Sequence, residues 1–137
     1  MKIVISTCYG GFGLSEAAIF RYAELKGITL WFEDSGVFST YYTVPKDQRV
    51  KELPGAFADH SLEDRIAYNE QYSKQELYAR DIDRTDPILV QVVEELGKEA
   101  DGPSASLKVV EIPDDVDWII DEQDGAEWVA EKHRRWC

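Results

Sequence analysis

The segment STCYGGFGLS, residues 6–15, joins an apolar run to a helix-like run through three glycines. The Ile- and Val-rich run Lys2–Thr7 before it predicts a buried strand. Ser15 predicts the N-cap of a helix that continues to about Lys26 and ends at Gly27. Glycine permits backbone conformations closed to other residues and leaves space for a ligand beside main-chain N–H groups. The segment therefore predicts a strand, an anion-binding glycine loop (residues 8–15) and a helix, in that order.

The remaining apolar runs predict further strands and helices. Five more strands are expected, at residues 28–32, 37–44, 106–112, 116–123 and 126–136. Two more helices are expected behind capping residues, from Ser61 to about Arg80 and from Asp86 through Ala100. Asp124-Gly125 predicts a type I′ hairpin between the last two strands, and a helix after Gly125 is the competing interpretation.

Length and composition favour a single globular domain over residues 1–137. Its fold class is α+β, with a mainly antiparallel sheet of about five or six strands and two to three helices on one face. Residues 46–60 break the periodicity with charges, Pro54 and Gly55, so we expect a mobile loop there. No apolar run approaches a membrane span and no signal peptide is evident, which predicts a cytosolic protein. Cys8 and Cys137 are expected as free thiols.

The formal net charge is −12, from 27 acidic and 15 basic residues. General binding to DNA or RNA depends on basic residues, so this charge opposes it. The segment Glu111–Glu127 holds eight acidic residues and no basic one. Such a surface suits a DNA mimic or a protein-binding inhibitor, and equally a protein whose charge only prevents association.

The glycine loop lacks three familiar phosphate motifs. No lysine follows Gly13, and Glu16 occupies the last position of a dinucleotide fingerprint. Cysteine phosphatases place an arginine six residues after the nucleophile, but that position after Cys8 is Leu14. Two interpretations stay open: a loop that binds an anion through its backbone, and a tight turn in which Cys8 is a small buried residue.

Candidate ligand-binding residues lie in the glycine loop, before the third helix and in the basic tail. They are Cys8, Tyr9, Gly10, Gly11, Phe12, Gly13, Leu14, Ser15, Arg84, His133, Arg134 and Trp136. Arg84 is expected either to bind an anion or to pair with a neighbouring aspartate. The tail is expected either to stack on a nucleotide or to dock against the acidic segment. His and Cys spacing predicts no metal site.

Several motifs resemble a family of small bacteriophage and prophage proteins of uncharacterised function. They are TCYGGFGLS (7–15), RDI with RTDP (80–87), VVEELG (92–97), VEIPD (110–114), Asp124-Gly125, and His133-Arg134 with Trp136. Asp83 stands where the resemblance predicts proline. The resemblance implies a viral accessory protein in the host cytoplasm and brings no established catalytic residues.

These observations predict an accessory protein that sequesters a small anionic ligand, without catalysis and without a cofactor. The expected ligand is nucleotide-derived, such as a host immune signal. One alternative is an acidic inhibitor or DNA mimic that binds a host protein. Another is a small hydrolase that uses Cys8 or His133. A second copy of the chain, in a homodimer, is also considered as a partner. No interaction with a membrane is expected.

Overall fold

The chain has an α+β fold. The computed structural model describes residues 1–34, 36, 39–51 and 53–132. Within those residues there are three α-helices and six strands, in three short antiparallel sheets. In chain order they are β1 (Lys2–Ser6), α1 (Glu16–Lys26), β2 (Trp31–Asp34), β3 (Ser39–Tyr42), α2 (Leu62–Lys74), α3 (Pro87–Leu96), β4 (Leu107–Glu111), β5 (Trp118–Gln123) and β6 (Ala126–Glu131).

The chain divides into two compact units, one formed by residues 1–26 with 79–137 and the other by residues 27–78. The first unit contains β1, α1, α3 and β4–β6, together with the glycine loop. The second contains β2, β3 and α2. In the described part of the chain, no helix is long and apolar enough to cross a bilayer.

The core of the first unit is built on β1. Its Ile3, Val4 and Ile5 are buried, and β1 pairs antiparallel with β4. Helix α3 packs against both strands and against α1, and it buries Leu89 and Val92 completely. Burying each such side chain contributes roughly 1.5–3 kcal/mol. The strand before the glycine loop and the helix after it are therefore anchored in the same core.

Both predicted N-caps around this core and the predicted end of α1 are confirmed, whereas α3 ends four residues earlier than predicted. The Ser15 hydroxyl accepts a hydrogen bond from the Ala18 N–H at 3.1 Å, and α1 ends at Lys26 before Gly27. The Asp86 carboxylate caps α3 at the Ile88 N–H, at 2.9 Å, with Pro87 in the first turn. Helix α3 ends before Ala100 because Gly97 takes a positive φ of 57° and starts a short 3₁₀ turn.

The expected single sheet of five or six strands is not confirmed, because the described strands pair only two by two. On the edge of β1 that faces away from β4, the main-chain N–H groups form hydrogen bonds with individual residues and not with a neighbouring strand. The Val4 N–H donates to the Arg84 carbonyl at 2.9 Å, and the Ser6 N–H donates to the Glu127 carboxylate at 2.8 Å. A side chain of β6 thus takes the place that a main-chain ladder would fill in a continuous sheet.

The predicted Asp124-Gly125 hairpin is confirmed, and the competing helix is excluded. Strands β5 and β6 pair in register from Trp118 opposite Glu131 to Gln123 opposite Ala126. Asp124 and Gly125 both have positive φ, 52° and 92°, as a type I′ turn requires. The predicted continuation to Trp136 lies outside the described residues.

The second unit forms around a β2–β3 hairpin and α2. Strand β2 is shifted from the predicted 28–32, because it starts at Trp31 and continues through Glu33 and Asp34, which were predicted to lie in the connection. Strand β3 is shorter than predicted, and its expected start at Val37 lies outside the described residues. Helix α2 ends at Lys74 instead of Arg80, because the Leu77 N–H bonds to the Tyr41 carbonyl at 2.8 Å and draws the chain alongside β3. The predicted loop at 46–60 contains two short 3₁₀ turns.

Candidate functional site

The glycine loop is fixed at both ends by main-chain hydrogen bonds. The Thr7 N–H donates to the Ser106 carbonyl at 2.8 Å, and the Ser15 N–H donates to the Ala100 carbonyl at 2.9 Å. Between these anchors, the Gly102 N–H bonds to the Gly13 carbonyl at 3.1 Å. The loop is therefore held against the turn that connects α3 to β4, and its conformation is set before any ligand binds.

Three glycines, Gly10, Gly102 and Gly125, are required by close packing, and a Cβ at Gly102 would lie 2.8 Å from the Gly13 carbonyl carbon. A Cβ at Gly10 would overlap the backbone and side chain of Ser104. A Cβ at Gly125 would overlap the Tyr9 carbonyl and lie 2.7 Å from the Gly11 nitrogen. The glycine loop thus lies directly between the 102–105 turn and the β5–β6 turn. Part of its glycine content is explained by this packing and not by a ligand.

The side chain of Arg84 is committed to an internal ion pair. Its guanidinium makes two parallel hydrogen bonds to the Glu127 carboxylate, at 2.8 and 3.0 Å, and a third to the Val4 carbonyl at 3.2 Å. The same guanidinium lies 3.6 Å from the centre of the Phe12 ring. The Arg84 and Glu127 side chains are only 19% and 10% exposed. Arg84 therefore braces the loop, and its partner is Glu127 and none of the neighbouring aspartates Asp81, Asp83 and Asp86.

Glu127 is held in its charged form. Burial acts to raise the pKa of its carboxyl, but the hydrogen bonds from Arg84 and from the Ser6 N–H outweigh burial, so the pKa lies below its ordinary value of 4.5. The cluster of Phe12, Arg84, Glu127 and Ser6 is consequently close to neutral. It links the glycine loop, α3's leading segment, β6 and β1.

A groove of about 490 Å³ lies on one side of the loop, within the first unit. It is lined by Tyr9, Gly10, Gly11, Phe12, Arg80, Arg84, Glu122, Asp124, Gly125 and Glu127. A second groove of about 260 Å³ lies between the loop and residues 102–105. Arg80 borders both grooves. We call the larger one the glycine-loop groove.

Arg80 is the cation at this groove that is free to meet a ligand. It is exposed and, within the described residues, makes no hydrogen bond or ion pair. The N–H groups of Tyr9, Gly10 and Phe12 likewise donate to no atom of the described chain. The Tyr9 side chain is 76% exposed. A guanidinium, unused main-chain donors and an accessible aromatic ring therefore border one groove.

The structure places the predicted site residues other than Cys8 and Arg84 in four different settings. Tyr9, Gly10, Gly11 and Phe12 line the glycine-loop groove. Leu14 is buried and the Ser15 hydroxyl is used, since it caps α1 and donates to the Glu99 carbonyl at 2.6 Å. Gly13 borders only the smaller groove. The predicted tail residues His133, Arg134 and Trp136 lie outside the described residues.

Cys8 is placed as a structural thiol. Its Sγ–H donates to the Ser104 carbonyl at 2.7 Å, and the Ser6 hydroxyl lies 3.8 Å from Sγ. Within the described residues, no acidic or basic side chain hydrogen-bonds to this thiol. A nucleophilic cysteine needs a nearby base or cation that favours the thiolate. The described residues also contain no group of three or more His, Cys, Asp or Glu side chains that could hold a metal ion.

Sequence reasoning missed Arg80, Glu122, Asp124 and Glu127 as residues of the groove. Arg80 and Arg84 both flank the same aspartate-rich segment, and nothing in the sequence tells which of them is paired. Glu127 lies in an acidic run where no single carboxylate stands out. The predicted hairpin was the one sequence signal that could have brought these carboxylates together, because its two-residue turn places Glu122 directly opposite Glu127.

No family model, curated protein or solved structure matches this chain.

Proposed function

We propose that this protein binds a small anionic ligand in the glycine-loop groove and does not transform it. The observation that carries the proposal is the coincidence of Arg80, without a partner in the described residues, and unused N–H groups at the border of one groove. Charge-assisted hydrogen bonds from arginine and main-chain N–H groups are the usual means of holding phosphates and carboxylates.

A nucleotide-derived ligand is the favoured class. Tyr9 offers an exposed ring for a base to stack on, and such stacking is worth about 1–3 kcal/mol. Sequestration of a nucleotide signal also agrees with the resemblance to bacteriophage proteins, which implies a location in the host cytoplasm, and we propose that it would counter host defence there. Non-catalytic binding is favoured over hydrolysis because the Cys8 thiol is hydrogen-bonded to a carbonyl and, within the described residues, has no base among its partners.

Isothermal titration and thermal unfolding with a panel of phosphate ligands test this proposal. The panel contains ethyl phosphate, cyclic nucleotides and ADP-ribose. We expect binding by at least one member, weakened about tenfold or more by Arg80→Gln, which removes charge-assisted hydrogen bonds. Lys108→Gln is the matched control, since Lys108 is an exposed cation on β4 remote from the groove lining. Absence of binding across the panel, or equal loss in both variants, would refute the proposal.

An acidic protein-binding surface is the second candidate. On the outward face of the β5–β6 hairpin, Ile119 and Trp128 are 41% and 43% exposed. Asp121 lies directly opposite Trp128 on that face. An aromatic and an aliphatic anchor beside the Asp121 carboxylate suit a basic protein partner.

The two candidates respond to different substitutions. Asp121→Lys and Trp128→Ala should abolish capture of a basic host protein if the hairpin is the interface. Arg80→Gln should leave that capture unchanged. Loss of capture by Arg80→Gln alone would contradict an interface on the outward face of the hairpin.

A further inference from the structure

The glycine-loop groove carries charges of both signs. Arg80 supplies a positive charge without a partner in the described residues, whereas Arg84 and Glu127 neutralise each other. The carboxylates of Glu122 and Asp124, on the hairpin side of the same groove, also make no hydrogen bond or ion pair with the described residues. One cation and two anions are therefore open to a ligand.

Glu122 lacks the neutralising partner that Glu127 has. Glu122 and Glu127 are paired directly across the β5–β6 ladder, where two uncompensated like charges would destabilise a hairpin. Arg84 neutralises Glu127. Among the described residues, the carboxylate of Glu122 keeps an uncompensated charge at the border of the groove.

This arrangement binds a purely anionic ligand less well than an anion that also carries a positive charge. Any anion bound by Arg80 and the loop N–H groups shares the groove with Glu122 and Asp124, which repel it. A positively charged group on the same ligand converts that repulsion into attraction. The charge pattern therefore selects for a molecule with both signs.

We infer that the ligand is a zwitterion, with a phosphate or carboxylate held by Arg80 and the loop N–H groups. Its ammonium or guanidinium group is held by Glu122 and Asp124. This inference rests on the proposed function, because it specifies the ligand class of the same groove. An amine-bearing phosphate ester is the simplest member of that class.

Two probes of nearly equal size separate this inference from the proposed function. Phosphoethanolamine carries a phosphate and an ammonium group, whereas ethyl phosphate carries the phosphate alone. We expect phosphoethanolamine to bind about tenfold tighter or more in isothermal titration, since a charge-assisted contact is gained. The double variant Glu122→Gln/Asp124→Asn should remove that preference, and Arg80→Gln should weaken both probes.

The possible outcomes separate anion binding, the preference for a zwitterion and the assignment of the cation to Glu122 and Asp124. Equal binding of the two probes overturns the zwitterion inference and leaves anion binding supported. No binding of either probe contradicts anion binding in this groove as well. A preference for phosphoethanolamine that survives in the double variant shows that other residues hold the cation, and it overturns the assignment to Glu122 and Asp124. Thermal unfolding of each unliganded variant checks that the fold is intact, and Asn tolerates the positive φ of Asp124.

Discussion

The Arg84 and Glu127 side chains should be coupled more strongly than the partners of the surface ion pairs of this protein. The perturbation is a double-mutant cycle of Arg84→Met, Glu127→Gln and both together. Neither side chain is more than 19% exposed, and two parallel hydrogen bonds join them. Glu127 also accepts the Ser6 N–H at 2.8 Å, and Arg84 also donates to the Val4 carbonyl at 3.2 Å.

The magnitude follows from what each substitution leaves behind. Removing one partner of a buried pair costs about 3–5 kcal/mol, because an uncompensated charge remains. Glu127→Gln keeps an acceptor for Ser6, so we expect the lower end, about 3 kcal/mol. Replacing both partners should cost less than the sum of the single losses, with a coupling energy of about 2 kcal/mol within the range for contacting residues.

Urea unfolding monitored by tryptophan fluorescence gives the four free energies of unfolding. The control is the Lys2–Glu94 pair, 3.0 Å apart and nearly half exposed at both ends, for which Lys2→Met and Glu94→Gln should couple by less than about 1 kcal/mol. If the Arg84–Glu127 coupling is as small as that of the control pair, the guanidinium is not committed to Glu127. Arg84 would then be available to a ligand, and the assignment of that role to Arg80 would lose its basis.

Three further predictions concern pH, the hairpin turn and a buried hydroxyl. The folded-state pKa of Glu127 lies below its ordinary value of 4.5. The ionised carboxylate therefore contributes its full stabilisation above the pKa of the unfolded state, and this stabilisation is lost as pH falls through the folded-state pKa. The difference in unfolding free energy between wild type and Glu127→Gln should shrink below about pH 4.5 in urea titrations. A difference that stays constant down to pH 2.5 contradicts this. Gly125→Ala should destabilise the fold by more than about 2 kcal/mol, because the new Cβ would overlap the glycine loop at a position that also has a positive φ. The control Gly27→Ala has a φ of 73° but meets no atom within 4 Å, so it should cost about 1 kcal/mol. Equal thermal shifts in the two variants would show that the turn does not touch the loop. Tyr22→Phe should cost about 1.5 kcal/mol in the same urea assay, because the hydroxyl donates to the charged Asp86 at 2.7 Å; an unchanged midpoint would remove this bond from the account.

The parts of the fold with local signals could be predicted from sequence. Ser15 and Asp86 were predicted as helix caps because a short polar side chain before an apolar periodic run has few other roles. The Asp124-Gly125 turn was predicted because few residue pairs accept two positive φ values. In each case the deciding interaction lies within a few residues of the signal.

The pairing of strands could not be predicted in the same way. The edge of β1 is covered by Arg84 and Glu127, which are 80 and 121 residues away from their bonding partners Val4 and Ser6. No local pattern indicates that side chains replace a neighbouring strand there. Glu127 is 43 residues away from Arg84, which explains why the sequence offered only a bound anion or a nearby aspartate as the partner of Arg84.

The candidate site was predicted in part. The glycine loop does border a groove, but Gly10 serves close packing against Ser104 and the Ser15 hydroxyl serves its helix. Which arginine is free depends on tertiary contacts, so Arg80 could be assigned only from the structure. The hypothesis about the basic tail, residues 132–137, lies almost entirely outside the described residues and stays a prediction.

The central claim is that Arg80 and the N–H groups of the glycine loop hold a small anion. Its most direct test is a ¹⁵N–¹H correlation experiment during titration with phosphoethanolamine and ethyl phosphate. The account predicts the largest shifts at the amides of Tyr9, Gly10 and Phe12, saturating in wild type and Lys108→Gln and strongly weakened in Arg80→Gln. Shifts that centre elsewhere, or a loop response that is identical in Arg80→Gln, would contradict it.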